Sequence, residues 1–181
     1  MNLSEIKTGD IGFVYSKFNI KNIDTWISGF VRFFMNFQSI ILGREKIRNQ
    51  HCGIFAWVDG ELYFYESVSK GFCRTLASVK FDGRWDDVII KRYEGISSFN
   101  NHIVNLKANY NFLGLLFQLV RQLSFNVIDL EAQKTGTIWL YCSQSCAYLI
   151  NKMSNGKYCQ YWCSTDTQDL SFDTASKIVK S

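Results

Sequence analysis

The chain has 181 residues, a formal net charge of +4 from 20 basic and 16 acidic residues, 47% hydrophobic residues, six cysteines and no proline. Its length fits one domain, which we predict over residues 1–181, and its apolar and aromatic content argues against a disordered chain. The mild, scattered charge argues against a nucleic-acid partner, and without proline the turns must be marked by Gly, Asn and Asp.

The first ten residues, MNLSEIKTGD, carry acidic side chains and lack an apolar core. We therefore expect no secretory signal and, by default, a cytoplasmic, reducing location in which the six cysteines need not form disulfides. A phage-encoded or otherwise delivered protein is the alternative.

An apolar segment follows, from Trp26 to Leu42, but it contains Arg32, Asn36 and Gln38. It is too short and too polar for a transmembrane span. We predict an amphipathic helix that covers the core or a substrate groove, with a helix lying on a membrane surface as the alternative.

Most of the β-strands are predicted in the first half of the chain. Asp10 to Ser16 is the first, and Asp59-Gly60 joins the next two as a hairpin, because this dipeptide favours a two-residue turn. The hairpin strands and two further predicted strands are Cys52 to Val58, Glu61 to Ser67, Gly71 to Leu76 and Asp87 to Tyr93.

From Ser98 onward, apolar residues recur at helical spacing through Leu123. A short strand, Thr137 to Tyr141, then leads into a helix from Cys142 to Met153, which Asn155-Gly156 ends. No repeat or linker interrupts the chain. The predicted fold class is α+β, an antiparallel sheet with packed helices.

The hairpin brings a histidine and a glutamate together. A two-residue loop pairs Val58 with Glu61, and the same register places Gly53 opposite Glu66. His51 and Glu66 then become diagonal neighbours on one face, about 7 to 8 Å apart at the backbone, with open space at Gly53. A carboxylate fixes the tautomer of an imidazole and raises its pKa, as a general base requires. A strand-end histidine near a solvated glutamate is the alternative.

Cys142 is the candidate nucleophile because it stands between a predicted strand and a predicted helix. The amides at a helix N-terminus lower the pKa of a thiol and can also hold an oxyanion. Cys146 lies one turn later on the apolar helix face.

Five segments in chain order resemble the circularly permuted NlpC-type papain-like hydrolases of the YiiX-like group, which are related to the lecithin:retinol acyltransferase-like proteins. The segments are TGDIGF (8–13), QHCGIF (50–55), YFYES (63–67), NYNFLGLL (109–116) and LYCSQSCAYLI (140–150). The resemblance implies a papain-like fold in which Cys142 is the nucleophile, His51 the base and Glu66 the residue that orients the base. Each motif alone is weak evidence for the family, and the occurrence of all five in the family's order is what supports the resemblance.

The resemblance also implies roles for further residues. Gly9 and Asp10 match a structural GD element, Tyr110 matches an aromatic near the site, and Gly114 matches a glycine. We take Tyr110, Gly53 and Ser143 as substrate-binding candidates. This chain departs from the family in Asn111 and Gln144, which replace Asp and Glu, and in TDTQDL (165–170), where a usual proline is absent.

The remaining cysteines allow a rival interpretation. Cys142 and Cys146, with Cys159 and Cys163, form two equally spaced pairs that a structural zinc ion could use. Ordinary buried thiols are the interpretation we favour, and we expect no metal or other cofactor. Cys52 points away from His51 and is expected in the core with Cys73, and His102 is expected at the surface.

The residues and the resemblance together predict a cysteine hydrolase that forms an acyl-enzyme, and the resemblance implies a peptide amide, as in cell-wall peptides, as its substrate. A thiol-dependent acyltransferase or hydrolase acting on lipid acyl groups is one alternative. A non-catalytic structural or binding module that retains the fold is another. The oligomeric state, the acyl acceptor and the host are left open.

Overall fold

The structure is a computed structural model, and it describes residues 3–14, 33, 37, 51–96, 101–111, 120, 140, 142–160 and 176–180. The strands in these ranges are β1 (Ile11–Val14), β2 (His51–Val58), β3 (Glu61–Val68), β4 (Gly71–Leu76), β5 (Val88–Tyr93) and β6 (Ser176–Lys180). The α-helices with described bounds are α1 (Ala77–Lys80), α2 (Asn101–Val104) and α3 (Cys142–Met153), and Leu3–Glu5 and Trp85–Asp87 form short 3-10 helices.

The strands form one antiparallel sheet in the order β4-β3-β2-β1-β5-β6. The hairpin register is as predicted, with Val58 opposite Glu61 and Phe55 opposite Phe64. Asp59 and Gly60 have positive φ values of 51° and 82°, the backbone that a tight two-residue hairpin turn requires. The α+β class is therefore confirmed.

Both faces of the sheet are covered, so β2 and β3 read as nearly continuous buried runs rather than as alternating ones. On one face, Cys52, Ile54 and Ala56 of β2 pack with α3. On the other face, Phe55 and Phe64 pack with residues that follow β4, including Phe81 and Trp85.

Helix α3 has the predicted bounds, and its predicted apolar face is buried. It ends where Asn155 and Gly156 adopt φ values of 52° and 79°, and the Gly156 amide donates to the carbonyl of Asn151 at 2.8 Å. This left-handed ending is the one that the Asn-Gly pair predicts.

The GD element is structural. Gly9 has a φ of 95°, and its amide donates to the Phe55 carbonyl at 2.9 Å, which ties the entry of β1 to β2. Asp10 is 1% exposed, and Arg92 on β5 donates to both of its carboxylate oxygens at 2.7 Å. This ion pair joins β5 to the start of β1.

Some predicted elements differ from the structure, and others fall outside the described residues. Strand β6 was not predicted. Of the helical pattern predicted from Ser98 to Leu123, residues 101–111 and 120 are described, and only α2 and Val120 among them are helical. The helix prediction is wrong for residues 105–111, where the chain runs beside β4 and the Ala108 carbonyl accepts from the Phe72 amide at 2.9 Å.

Three other predicted segments lie wholly or mostly outside the described ranges: Trp26 to Leu42 except for Phe33 and Phe37, residues 112–119, and residues 165–170. Of the Trp26 segment, Phe33 and Phe37 are helical, 63% and 51% exposed, with their rings stacked at 6.5 Å. In the described part of the chain, no helix is long and apolar enough to cross a membrane.

Candidate functional site

His51 and Glu66 contact each other directly. His51 opens β2, Glu66 lies near the end of β3, and the His51 Nε2 to Glu66 Oε2 distance is 2.6 Å. The Glu66 side chain is only 4% exposed and that of His51 is 23% exposed. Since a carboxylate can only accept, Nε2 carries the proton, and the free lone pair of the neutral ring is on Nδ1.

Cys142 completes this chain of contacts. It is the first residue of α3, and its side chain is hydrogen-bonded to His51. With Nε2 committed to Glu66, Nδ1 is the ring nitrogen available to the thiol. The helix packs on the face of the sheet that holds Cys52, while His51 belongs to the first position of β2. The thiol and the imidazole therefore meet at the end of the strand.

The electrostatics of the histidine and the glutamate follow from these contacts. Burial alone would lower the pKa of His51, but hydrogen bonds to Cys142 and Glu66 outweigh it and raise the pKa to about 10. Burial opposes ionisation of Glu66, yet the hydrogen bond and charge of His51, together with Lys80, lower its pKa to about 2. Glu66 is therefore a permanent carboxylate behind a strongly basic imidazole.

The thiol experiences opposing influences. The hydrogen bond to Cys52 and burial raise the pKa of Cys142, whereas the hydrogen bond to His51 lowers it. Two thiols in contact disfavour a second negative charge, and an imidazolium favours a thiolate. The net direction for the Cys142 pKa is upward, and the hydrogen bond to His51 is the influence in this set that favours the thiolate. The two groups share that hydrogen bond, so the thiol and the imidazole titrate as a coupled pair.

The sequence did not reveal two of these contacts. Cys52 does lie in the core, as predicted, but it also touches Cys142. Lys80, from α1, donates to Glu66 Oε1. Cys73 was expected in the core, but it is only half-buried and lies opposite Glu66 in the register of β3 and β4. No local sequence pattern predicts the contact of Lys80 with Glu66, because it forms only when the chain folds back after β4 and places α1 against β3.

The two departures from the resembled family meet each other. Asn111 donates its side-chain amide to Gln144 Oε1 at 3.2 Å, and both residues are 2% exposed. The backbone N–H of Asn111 also donates to the carbonyl of Leu140, two residues before α3, at 3.4 Å. A neutral Gln144 in the first turn places no negative charge near the Cys142 thiol, so it does not oppose a thiolate there.

The predicted substrate-binding residues have different outcomes. Tyr110 is half-buried beside Asn111, whereas Ser143 is 1% exposed and lies inside the fold. The expectation of open space at Gly53 is wrong, because a Cβ there would lie 2.4 Å from Phe64 Cζ and 2.5 Å from the Tyr65 carbonyl oxygen. Gly53 is needed for packing between β2 and β3. Gly114 lies outside the described residues.

The zinc hypothesis finds no support in the cysteines that the structure describes. Cys146 is 1% exposed in the apolar core, and Cys159 Sγ lies 4.0 Å from the Tyr93 hydroxyl. Cys163 lies outside the described residues. Within residues 3–14, 51–96, 101–111 and 142–160, no three His, Cys, Asp or Glu side chains are grouped as metal ligands. His102 is exposed, as predicted.

The comparisons with known proteins bear on the fold. No family model matches the chain, and no curated protein matches it significantly. Among solved structures, the chain is similar to metalloprotein yiiX from Escherichia coli O157:H7 (DUF1105), with a TM-score of 0.50, 11% identity and coverage of 97% of each chain. At this identity the likeness concerns the fold alone, a YiiX-like α+β fold over nearly the whole chain.

Proposed function

We propose that this chain is a papain-like cysteine hydrolase of the permuted NlpC type, with Cys142, His51 and Glu66 as its catalytic residues. The observation that carries the proposal is the continuous contact from the Cys142 thiol through the His51 imidazole to the buried Glu66 carboxylate. A nucleophile, a base and a group that orients the base are the components that acyl transfer requires.

In the proposed reaction, the Cys142 thiol transfers its proton to His51 while Sγ bonds to the carbonyl carbon of an amide. The attack leaves a negative charge on the carbonyl oxygen, and backbone N–H groups in the first turn of α3 stabilise this oxyanion. The C–N bond then breaks, and His51 gives its proton to the leaving amine. Water, deprotonated by His51, attacks the thioester carbon. The C–S bond breaks, the carboxylic acid product leaves, and the thiol is restored.

Glu66 keeps the proton on Nε2 and stabilises the imidazolium that forms during each transfer. The substrate we favour is a peptide amide of the cell-wall type, by analogy with the resembled family. The word metalloprotein describes yiiX, and among the described residues of this chain no three His, Cys, Asp or Glu side chains are grouped as metal ligands. No step of the proposed reaction uses one.

A peptide-based acylating probe tests the proposal, with labelling of the Cys142 peptide read by mass spectrometry. Labelling should disappear in Cys142→Ala and fall by about two orders of magnitude or more in His51→Ala. His102→Ala is the matched control, since it removes the other histidine from an exposed position. Undiminished labelling of Cys142 in His51→Ala would refute the assignment of the base.

A substrate screen then separates the two acyl classes. Peptidoglycan fragments and lipid acyl esters are offered to the wild type and to Cys142→Ala, and the released amine or alcohol is measured. Turnover of peptide amides that depends on Cys142 supports the amidase. Turnover of lipid esters alone would favour the acyl-lipid alternative.

A further inference from the structure

Glu66 is held from two sides. Its Oε2 accepts from His51 Nε2 at 2.6 Å, and its Oε1 accepts from Lys80 Nζ. The Glu66 side chain is 4% exposed and that of Lys80 is 29% exposed, so the ion pair lies mostly inside the protein. Two charge-assisted contacts on different oxygens fix the plane of a carboxylate better than one contact does.

The backbone that carries Lys80 is itself anchored. Ala77, at the start of α1, is fully buried, and Phe81, directly after Lys80, is 2% exposed. The Phe81 amide donates to the Ala77 carbonyl at 3.0 Å, and the Phe81 ring packs edge-on against Phe64 at 5.0 Å. Lys80 therefore reaches Glu66 from a fixed position in the core rather than from a mobile surface segment.

We propose that Lys80 is a positioning residue that holds the Glu66 carboxylate against His51. This inference rests on the proposed function for its catalytic meaning. Lys80 acts on His51 only through Glu66. The Lys80 Nζ lies 5.7 Å from the centroid of the Phe64 ring, which is in the core cluster on the sheet face opposite α3, whereas Cys142 is the first residue of α3 on the other face.

The sign of the His51 titration separates positioning from simple charge. Removing the Lys80 charge without moving Glu66 would raise the pKa of His51, because a positive charge is lost nearby. Releasing Glu66 from its orientation would weaken the hydrogen bond to Nε2 and lower that pKa. The other titratable groups that face this pair are Cys142, hydrogen-bonded to His51, and Cys73, opposite Glu66.

The test is an NMR titration of the two imidazoles in the full-length wild type and in Lys80→Met. The exposed His102 serves as the internal reference. We expect the pKa of His51 to fall by about one unit or more in Lys80→Met and to recover in Lys80→Arg. Lys70→Met removes the same charge from an exposed turn and should leave His51 unchanged. If Lys80→Met does not fold, Lys80→Ala provides the same comparison.

A second readout follows the path through Glu66. Lys80→Met should slow iodoacetamide alkylation of Cys142 about tenfold in the wild type but less than about twofold in Glu66→Gln. An unchanged or raised pKa of His51 in Lys80→Met, or an equal loss of alkylation in both backgrounds, would overturn the inference. Alkylation of Cys142 that does not respond to His51→Ala would instead overturn the proposed function, and the His51 titration would still decide the role of Lys80.

Discussion

The substitution Glu66→Gln removes the charge on which both His51 and Lys80 depend and nearly preserves the shape of the side chain. The pKa of Glu66 is lowered from its usual 4.5 to about 2. At about 1.4 kcal/mol per pKa unit, this lowering corresponds to about 3 kcal/mol of folding stability. That value is at the lower end of the range for breaking a buried ion pair, as expected because His51 and Lys80, the two partners of the buried Glu66, are themselves partly exposed.

The pH dependence has a definite sign. A lowered carboxyl pKa contributes stability above pH 4.5, and the contribution is lost as the pH falls toward 2. The wild type should therefore exceed Glu66→Gln by about 3 kcal/mol at pH 6 and by only about 1 kcal/mol at pH 3.

Urea unfolding of both proteins at pH 6 and pH 3 measures the difference. The control is Glu61→Gln, which neutralises an exposed carboxylate on the same strand and should change stability by less than about 0.5 kcal/mol. An equal loss for Glu66→Gln at the two pH values would show that packing, rather than the ionised carboxylate, stabilises this site, and would refute the reasoning.

Three further outcomes are expected. Cys52→Ala should shift the onset of Cys142 alkylation to lower pH, because it removes the thiol that raises the Cys142 pKa; a shift to higher pH would show that Cys52 instead donates to the thiolate. Arg92→Met should cost about 3 kcal/mol in chemical denaturation, since Asp10 would stay buried without its cation, and a loss below about 1 kcal/mol would contradict this. Gly53→Ala should lower stability by about 2 kcal/mol through overpacking, and a neutral result would show that β2 and β3 move apart easily.

Parts of the site were predictable because they depend on neighbouring residues. The two-residue turn at Asp59-Gly60 fixes the pairing of β2 with β3, and that pairing brings His51 near Glu66. The bounds of α3 follow from its apolar spacing and from the Asn-Gly ending, and they place Cys142 at the helix start. The papain-like family and the catalytic roles remain predictions that the experiments above address.

Other features needed the folded chain. The hydrogen bond between the Asn111 and Gln144 side chains joins residues from separate segments, and no local pattern shows that these two side chains meet. At Gly53, the sequence predicted open space that the structure does not contain. The strand pairing suggested space beside it, but the Phe64 ring and the Tyr65 carbonyl occupy that space. A register gives the spacing between backbones and says nothing about which side chains fill the gaps.

The amino-acid sequence by itself determined the α+β class, the hairpin, the limits of α3 and the candidate trio of thiol, imidazole and carboxylate. Turn chemistry and hydrophobic periodicity operate within a few residues, so they can be read without coordinates. Only the tertiary structure decided that β6 pairs with β5, that Cys52 touches Cys142 and that Lys80 holds Glu66. These contacts depend on how both faces of the sheet are packed, because packing brings together groups that the chain order keeps apart.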